Sequence, residues 1–88
     1  TQTDVCAVVR RDGRILLVRR PAEGLWGGLW EMPRVTARDG EPVAEAAERA
    51  ARERAGLDGR AGDVAASLRH GVTTRRITLQ AVEVRVDD

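Results

Sequence analysis

The 88-residue chain is long enough for one domain and too short for two, because domains seldom fall below about 50 residues. Hydrophobic residues make up 42% of it, which excludes a disordered chain, and no run reaches the roughly 18 apolar residues of a membrane helix. The net charge of +1 excludes a globally basic nucleic-acid binder, so contact with DNA requires a local cluster of charge.

The ends of the chain and its one cysteine bear on its origin. It starts at Thr1 without a Met and stops at Asp88 directly after an apolar run. We therefore expect residues 1–88 to form a single domain taken from a longer protein. Because Cys6 has no partner for an internal disulfide and no signal peptide is evident, we expect a cytoplasmic location.

Two short apolar runs, at residues 4–10 and 14–19, open the chain. Asp12-Gly13 lies between them and favours a hairpin turn, which predicts two antiparallel strands. The following segment, residues 21–33, contains three Gly and two Pro and is too interrupted for a helix. It is typical of a packed loop, and we expect its Trp30 to lie in the core.

A helix and two strands complete the chain. Pro42 suits the first turn of a helix and Gly56 its end, which predicts a helix over residues 42–55. A loop at residues 58–62 leads to strands at 64–68 and 75–86. In the last strand the apolar phase changes at Ala81-Val82, which predicts a bulge there.

This order of elements resembles the Nudix fold, which implies an α+β domain with a mixed β-sheet flanked by helices and a closing C-terminal helix beyond residue 88. Nudix hydrolases carry the pattern G-x5-E-x7-R-E-U-x-E-E-x-G-U, with U apolar, on this helix. Its glutamates hold magnesium against a diphosphate, because hard divalent cations require several converging carboxylate oxygens.

The clustered glutamates of that pattern are mostly missing. Alignment on Gly56 puts its arginine on Arg49 and the three glutamates on Ala50, Glu53 and Arg54, so only one carboxylate is kept. The outlying glutamate of the pattern is kept as Glu41. We therefore expect no catalytic residue and no metal site, with Glu53 serving as an ion-pair residue on the helix surface.

A second resemblance is carried by residues 24–33, G-L-W-G-G-L-W-E-M-P. This segment is similar to G-L-W-G-G-L-W-E-F-P in the C-terminal, Nudix-like domain of MutY-type adenine DNA glycosylases. The resemblance implies a non-catalytic domain that recognises 8-oxoguanine opposite adenine in double-stranded DNA. It also implies that the catalytic carboxylates and an iron–sulfur cluster lie in a helical glycosylase domain outside this chain, and that this domain holds no cofactor.

Residues 68–79 are similar to the H-x-F-[ST]-H hairpin with which that family reaches the lesion strand. Two of the four positions depart from the pattern, and Arg69, Arg75 and Arg76 supply a local positive cluster suited to phosphates. Trp26 is open to either a core or a DNA-facing position. The candidate contacts with DNA and 8-oxoguanine are His70, Val72, Thr73, Thr74, Arg75 and Trp26.

The residues leave three hypotheses for function. The first is the lesion-recognition domain of an adenine DNA glycosylase in base excision repair. The second is a Nudix nucleoside-triphosphate pyrophosphohydrolase, against which the residues at positions 50 and 54 argue. The third is a catalytically dead Nudix domain that binds only protein.

Overall fold

A four-stranded mixed sheet with one helix on it forms the body of the molecule. The computed structural model describes residues 2–19, 28–72 and 75–86, with the side chains of 70–72 and 75 left outside that description. In chain order the elements are β1 (Gln2–Val8), β2 (Arg10–Arg11), β3 (Arg14–Ile15), β4 (Val18–Arg19), β5 (Trp30–Glu31), β6 (Arg34–Thr36), α1 (Val43–Ala55), β7 (Gly59–Val72) and β8 (Arg75–Val86).

The strand order of the main sheet is β6-β1-β8-β7. The pairing of β1 is antiparallel with β6 and parallel with β8, and β7 is antiparallel to β8. Two further pairs, β2–β3 and β4–β5, form small separate ladders. The predicted α+β class with a mixed sheet is therefore confirmed. No helix in the part of the chain that the structure describes is long and apolar enough to cross a membrane.

The helix begins and ends close to where the sequence predicts. Pro42 is the N-cap residue, and Gly56 closes the helix in the left-handed conformation at φ 69°. The Gly56 amide donates to the Arg52 carbonyl, the 5→1 bond of an αL cap, and the Leu57 amide donates to the Ala51 carbonyl. The side chains that α1 buries against the sheet are small, so the helix backbone lies close to it. They are Ala46, Ala47, Ala50 and Ala51.

The predicted hairpin turn is found, whereas the bulge expected in the last strand lies on the strand beside it. Asp12 and Gly13 have φ values of 51° and 77°, as a two-residue turn between β2 and β3 requires. The pairing extends only over residues 10–11 and 14–15, because β1 is taken up by the main sheet. The ladder has two irregularities, one opposite Glu83 and one opposite Ala81-Val82, and both put their extra residues on β7, since β8 stays in unbroken register with β1.

Two expectations from the sequence are wrong. Trp30 is not in the core: on the short strand β5 its side chain is 63% exposed. The loop expected at residues 58–62 is mostly strand, because β7 already starts at Gly59, where its backbone approaches β8 closely. A Cβ built at that glycine would lie 2.6 Å from Val84 Cγ1. Only glycine fits there without a shift of its neighbours.

Candidate functional site on helix α1

Arg49 is the centre of the site, on the face of α1 that carries the Nudix pattern. The residue is only 7% exposed, and all three guanidinium nitrogens donate hydrogen bonds. Nε and Nη2 each donate to a Glu41 carboxylate oxygen at 3.0 Å, Nη1 donates to Glu53 Oε1 at 3.2 Å, and Nη2 also donates to the Thr36 carbonyl at 2.8 Å. The ion-pair role predicted for Glu53 is confirmed.

The Glu41 carboxylate is committed to this arrangement. The bidentate hydrogen bond from Arg49, followed by a bond from the Arg38 backbone amide at 2.9 Å, lowers its pKa from 4.5 to about 2. Glu41 also raises the pKa of Arg49 by the same contact. Both groups therefore stay charged at neutral pH, and the two carboxylates that the pattern keeps are bound to one buried cation.

Arg54 belongs to a second charged group beside the first. Its Nη1 lies 3.7 Å from Glu31 Oε2 and donates to the Arg34 carbonyl at 3.4 Å. Arg34 in turn donates to Asp4 Oδ2 from Nε at 2.9 Å and from Nη2 at 2.5 Å. Strand β5 brings Glu31 to the helix, and the antiparallel β1–β6 pair brings Asp4 and Arg34 together.

Asp4 is a buried carboxylate whose charge is retained. Burial alone would raise its pKa, but hydrogen bonds from Gln2, Arg34 and Thr36, with the charge of Arg34, lower the pKa overall. Cys6, two residues along β1, is also buried, and burial raises the pKa of its thiol. Asp4 is thus fully engaged in joining β1 to β6, and Cys6 is a core residue.

The residues of this face do not fit the magnesium ion that the Nudix pattern implies. Ala50 is fully buried in the core, so one glutamate position is an apolar packing contact. Arg54 puts a cation where another carboxylate belongs, and Glu53 accepts a bond from Arg49. Among the described residues no three His, Cys, Asp or Glu side chains are grouped as metal ligands. A divalent cation lacks the converging oxygens it requires.

The residues predicted to contact DNA are only partly placed. The β7–β8 hairpin carries three of them on its backbone, with His70 opposite Ile77 and Val72 opposite Arg75. The side chains of those three lie outside the described residues, as do Thr73, Thr74 and Trp26 entirely. No contact of these six side chains is described, and their assignment stays a prediction.

Sequence reasoning missed several members of the charged network. One signal was available: the Nudix pattern keeps both its arginine and its outlying glutamate here, at Arg49 and Glu41, which the structure joins directly. Asp4, Glu31 and Arg34 carry no comparable signal. Their pairing depends on strand register and on how β5 meets the helix, neither of which the residue pattern specifies.

Comparison with known proteins decides the family. The family model described as a NUDIX domain matches residues 4–88. The chain belongs to the Nudix family. A CTP pyrophosphohydrolase of Escherichia coli (strain K12) is 38% identical over 80 residues, which is 91% of this chain and 59% of that protein. The solution structure of the E. coli ORF135 protein is 36% identical with a TM-score of 0.81, and covers 94% of this chain and 59% of that one. The chain thus spans 59% of the length of each of these relatives.

A glycosylase-related structure also shares the fold. The C-terminal domain of mouse MUTYH, solved in complex with human PCNA, is 23% identical with a TM-score of 0.65, and the match covers 99% of this chain and 63% of that one. At this identity the likeness shows the fold alone. Neither DNA nor 8-oxoguanine as a partner of this chain is supported by it.

The interpretation as a DNA-lesion recognition domain of an adenine glycosylase in DNA repair is therefore wrong. The 38% identity to a CTP pyrophosphohydrolase over nearly the whole chain favours the nucleotide-hydrolase alternative instead. The error arose in residues 24–33, where a match in glycines, tryptophans and leucines was given more weight than the charges on the helix. The helical glycosylase domain and its iron–sulfur cluster were implied by that resemblance alone.

Proposed function

We propose that this chain is a nucleotide-binding Nudix domain that binds a nucleoside triphosphate of the CTP type. The support is the 38% identity, over 91% of the chain, to a CTP pyrophosphohydrolase. Because the chain spans only 59% of that protein, the proposal concerns binding by these residues. Whether the hydrolytic activity of that relative extends to this chain depends on the charged groups on α1.

One observation limits the proposal to binding: Arg54 stands at a glutamate position of the Nudix pattern and pairs with Glu31 at 3.7 Å. Metal-assisted cleavage of a diphosphate requires a cation held by several carboxylates, which polarises the phosphoryl oxygens. A guanidinium at this position repels a divalent cation instead. The domain therefore binds the triphosphate without a magnesium cluster on α1 and does not hydrolyse it there.

Two arginines on this face suit the triphosphate directly. Arg38 lies 3.9 Å from Glu53, with side-chain exposures of 69% and 46%, and Arg54 makes the similarly long pair with Glu31. The exposed Arg38–Glu53 pair contributes about 0–1 kcal/mol, so exchanging its carboxylate for phosphate oxygens costs little. The side chains of Arg54 and Glu31 are only 27% and 18% exposed, so Arg54 is the more firmly held of the two arginines. A guanidinium then binds phosphate bidentately, the geometry for which arginine is best suited.

The magnesium dependence of CTP binding tests the proposal. Isothermal titration of the chain with CTP should give the same dissociation constant with magnesium and with a chelator. Arg54→Gln should weaken binding by about tenfold in both conditions, as expected for the loss of one charge-assisted phosphate contact. Arg54→Glu should weaken chelator-treated binding further and make magnesium restore part of it.

Arg52→Gln is the matched control, because Arg52 is exposed in the same turn of α1 and has no role in the proposed contacts. Its CTP affinity should equal that of the unaltered chain. Absence of CTP binding, or binding by the unaltered chain that requires magnesium, would overturn the proposal.

A further inference from the structure

A cavity of about 670 Å³ lies where the beginning of β7 meets the end of β8, away from the charged network of α1. Its lining includes five charged residues, which are Arg10, Arg60, Asp63, Glu83 and Arg85. Val82 and Val84 pack in the core with α1, so strand alternation puts Glu83 and Arg85 on the opposite side of β8. The volume is in the range of small-molecule sites.

Two arginines of this cavity face each other without a counter-charge. Arg60 and Arg85 are direct partners in the β7–β8 ladder. Within the residues that the structure describes, neither guanidinium has a carboxylate within ion-pair distance. Like charges directly opposite each other in a sheet destabilise it. An anion between the two guanidiniums would remove that repulsion.

A third arginine is available at the rim. Arg10 Nε lies 2.8 Å from Glu83 Oε1, and the two side chains are 58% and 45% exposed. Such an exposed pair is weak, so a more highly charged ligand competes for Arg10 at little cost. Asp63 is the one carboxylate of the lining without such a partner in the described part of the chain, and it disfavours an anion.

The pairing of β7 with β8 is interrupted beside this cavity. The ladder register shifts between Ala61 and Val64 and again between Val64 and Ala66, so Gly62, Asp63 and Ala65 have no cross-strand partner. All three line the cavity. Bulges of this kind redirect the chain beside binding sites. The backbone at Gly62 is not crowded. A Cβ added there would contact only the Glu83 carbonyl oxygen, at 3.6 Å.

We propose that this cavity is a second ligand site, which binds a small phosphate-bearing anion with at least two negative charges. The lining holds three arginines and two carboxylates and so has a net positive charge, and the fork geometry of Arg60 and Arg85 matches phosphate oxygens. The site is distinct from the nucleotide contact proposed on α1, because it uses none of Arg38, Arg49 or Arg54.

Titration of the 15N-labelled chain with pyrophosphate tests the site by position as well as by affinity. The amide signals of Arg60, Gly62 and Asp63 should move together and saturate. Arg60→Gln and Arg85→Gln should each raise the dissociation constant by about tenfold or more. Asp63→Asn should lower it, because a repelling carboxylate is removed. Arg52→Gln should leave it unchanged.

The arginine variants are expected to fold, since replacing one of two opposed cations relieves repulsion, and their melting temperatures should equal or exceed that of the unaltered chain. Pyrophosphate that does not bind, or that binds with the same affinity after Arg60→Gln and Arg85→Gln, would rule out the site. If CTP binding is weakened in Arg54→Gln but unchanged in the Arg60 and Arg85 variants, the proposed function stands whatever the pyrophosphate result. Saturable pyrophosphate binding without CTP binding contradicts the proposed function alone.

Discussion

Replacing Gly59 by alanine should destabilise the chain, although alanine usually favours folding over glycine. The added Cβ would lie 2.6 Å from Val84 Cγ1, 2.8 Å from the Arg85 carbonyl oxygen and 3.1 Å from Val86 Cγ2. Val84 is buried in the core and the carbonyl belongs to the backbone, so neither contact can be relieved by moving a free side chain. Overpacking of this kind costs about 1–3 kcal/mol.

That cost exceeds the gain of about 0.4–1 kcal/mol that a Gly-to-Ala change brings by restricting the unfolded chain. We expect a net loss of roughly 1–2 kcal/mol, which for a domain of this size lowers the melting temperature by about 4–16 °C. Circular dichroism during thermal unfolding measures this change.

Gly62→Ala provides the matched control three residues further along β7. Its Cβ would meet only the Glu83 carbonyl oxygen, at 3.6 Å, which is an ordinary van der Waals contact. This variant should be as stable as the unaltered chain or slightly more stable. Equal melting temperatures for the Gly59 and Gly62 variants would refute the close approach of β7 and β8 at Gly59.

Two further predictions concern the charged network. The pKa of Glu41 falls from 4.5 to about 2 on folding, so the stabilisation it provides is complete above pH 4.5, declines as the pH falls and is lost below about pH 2. In acid unfolding followed by circular dichroism, the stability of Glu41→Gln should therefore decline less steeply over this range than that of the unaltered chain. Identical profiles would contradict the assignment. Arg49→Met should lower the melting temperature more than Arg52→Met, because it leaves partly buried hydrogen-bond acceptors without their donor. Equal losses would mean that the Arg49 contacts add no stability.

The parts of the fold that local chemistry determines could be predicted from the sequence. Asp12-Gly13 specifies a turn with two positive φ angles, and Pro42 and Gly56 mark the ends of a helix, whatever the rest of the chain does. The change of apolar phase at Ala81-Val82 marked the bulge. Which strand holds the extra residue depends on the parallel pairing of β8 with β1, a non-local fact.

Exposure and pairing were harder to predict than element type. Trp30 is a large aromatic residue of the kind expected in a core. It lies on a two-residue strand paired with β4, and its side chain stays largely exposed. The network around Arg49 could be anticipated in part, because Glu53 lies one helical turn away. Its bond to Glu41 joins α1 to the loop that precedes it, which helix periodicity does not reveal.

The function was misjudged because the most specific sequence match had the least chemical content. Residues 24–33 matched a family signature closely, whereas Ala50 and Arg54 described the charge of the helix face directly. The structure supports the second kind of evidence, since Ala50 is core and Arg54 is held by Glu31 and the Arg34 carbonyl. Residues whose charge and size can be stated were better guides to the site than a longer sequence match.

Release of phosphate or pyrophosphate from CTP in the presence of magnesium is the most direct test of the central claim, that α1 binds a nucleotide without a metal cluster. We expect the chain to bind CTP and to release neither product above the rate of a sample without protein. Glu53→Gln should leave that background unchanged. Magnesium-dependent turnover by the unaltered chain that is abolished by Glu53→Gln would contradict the claim and establish a working metal site on this helix.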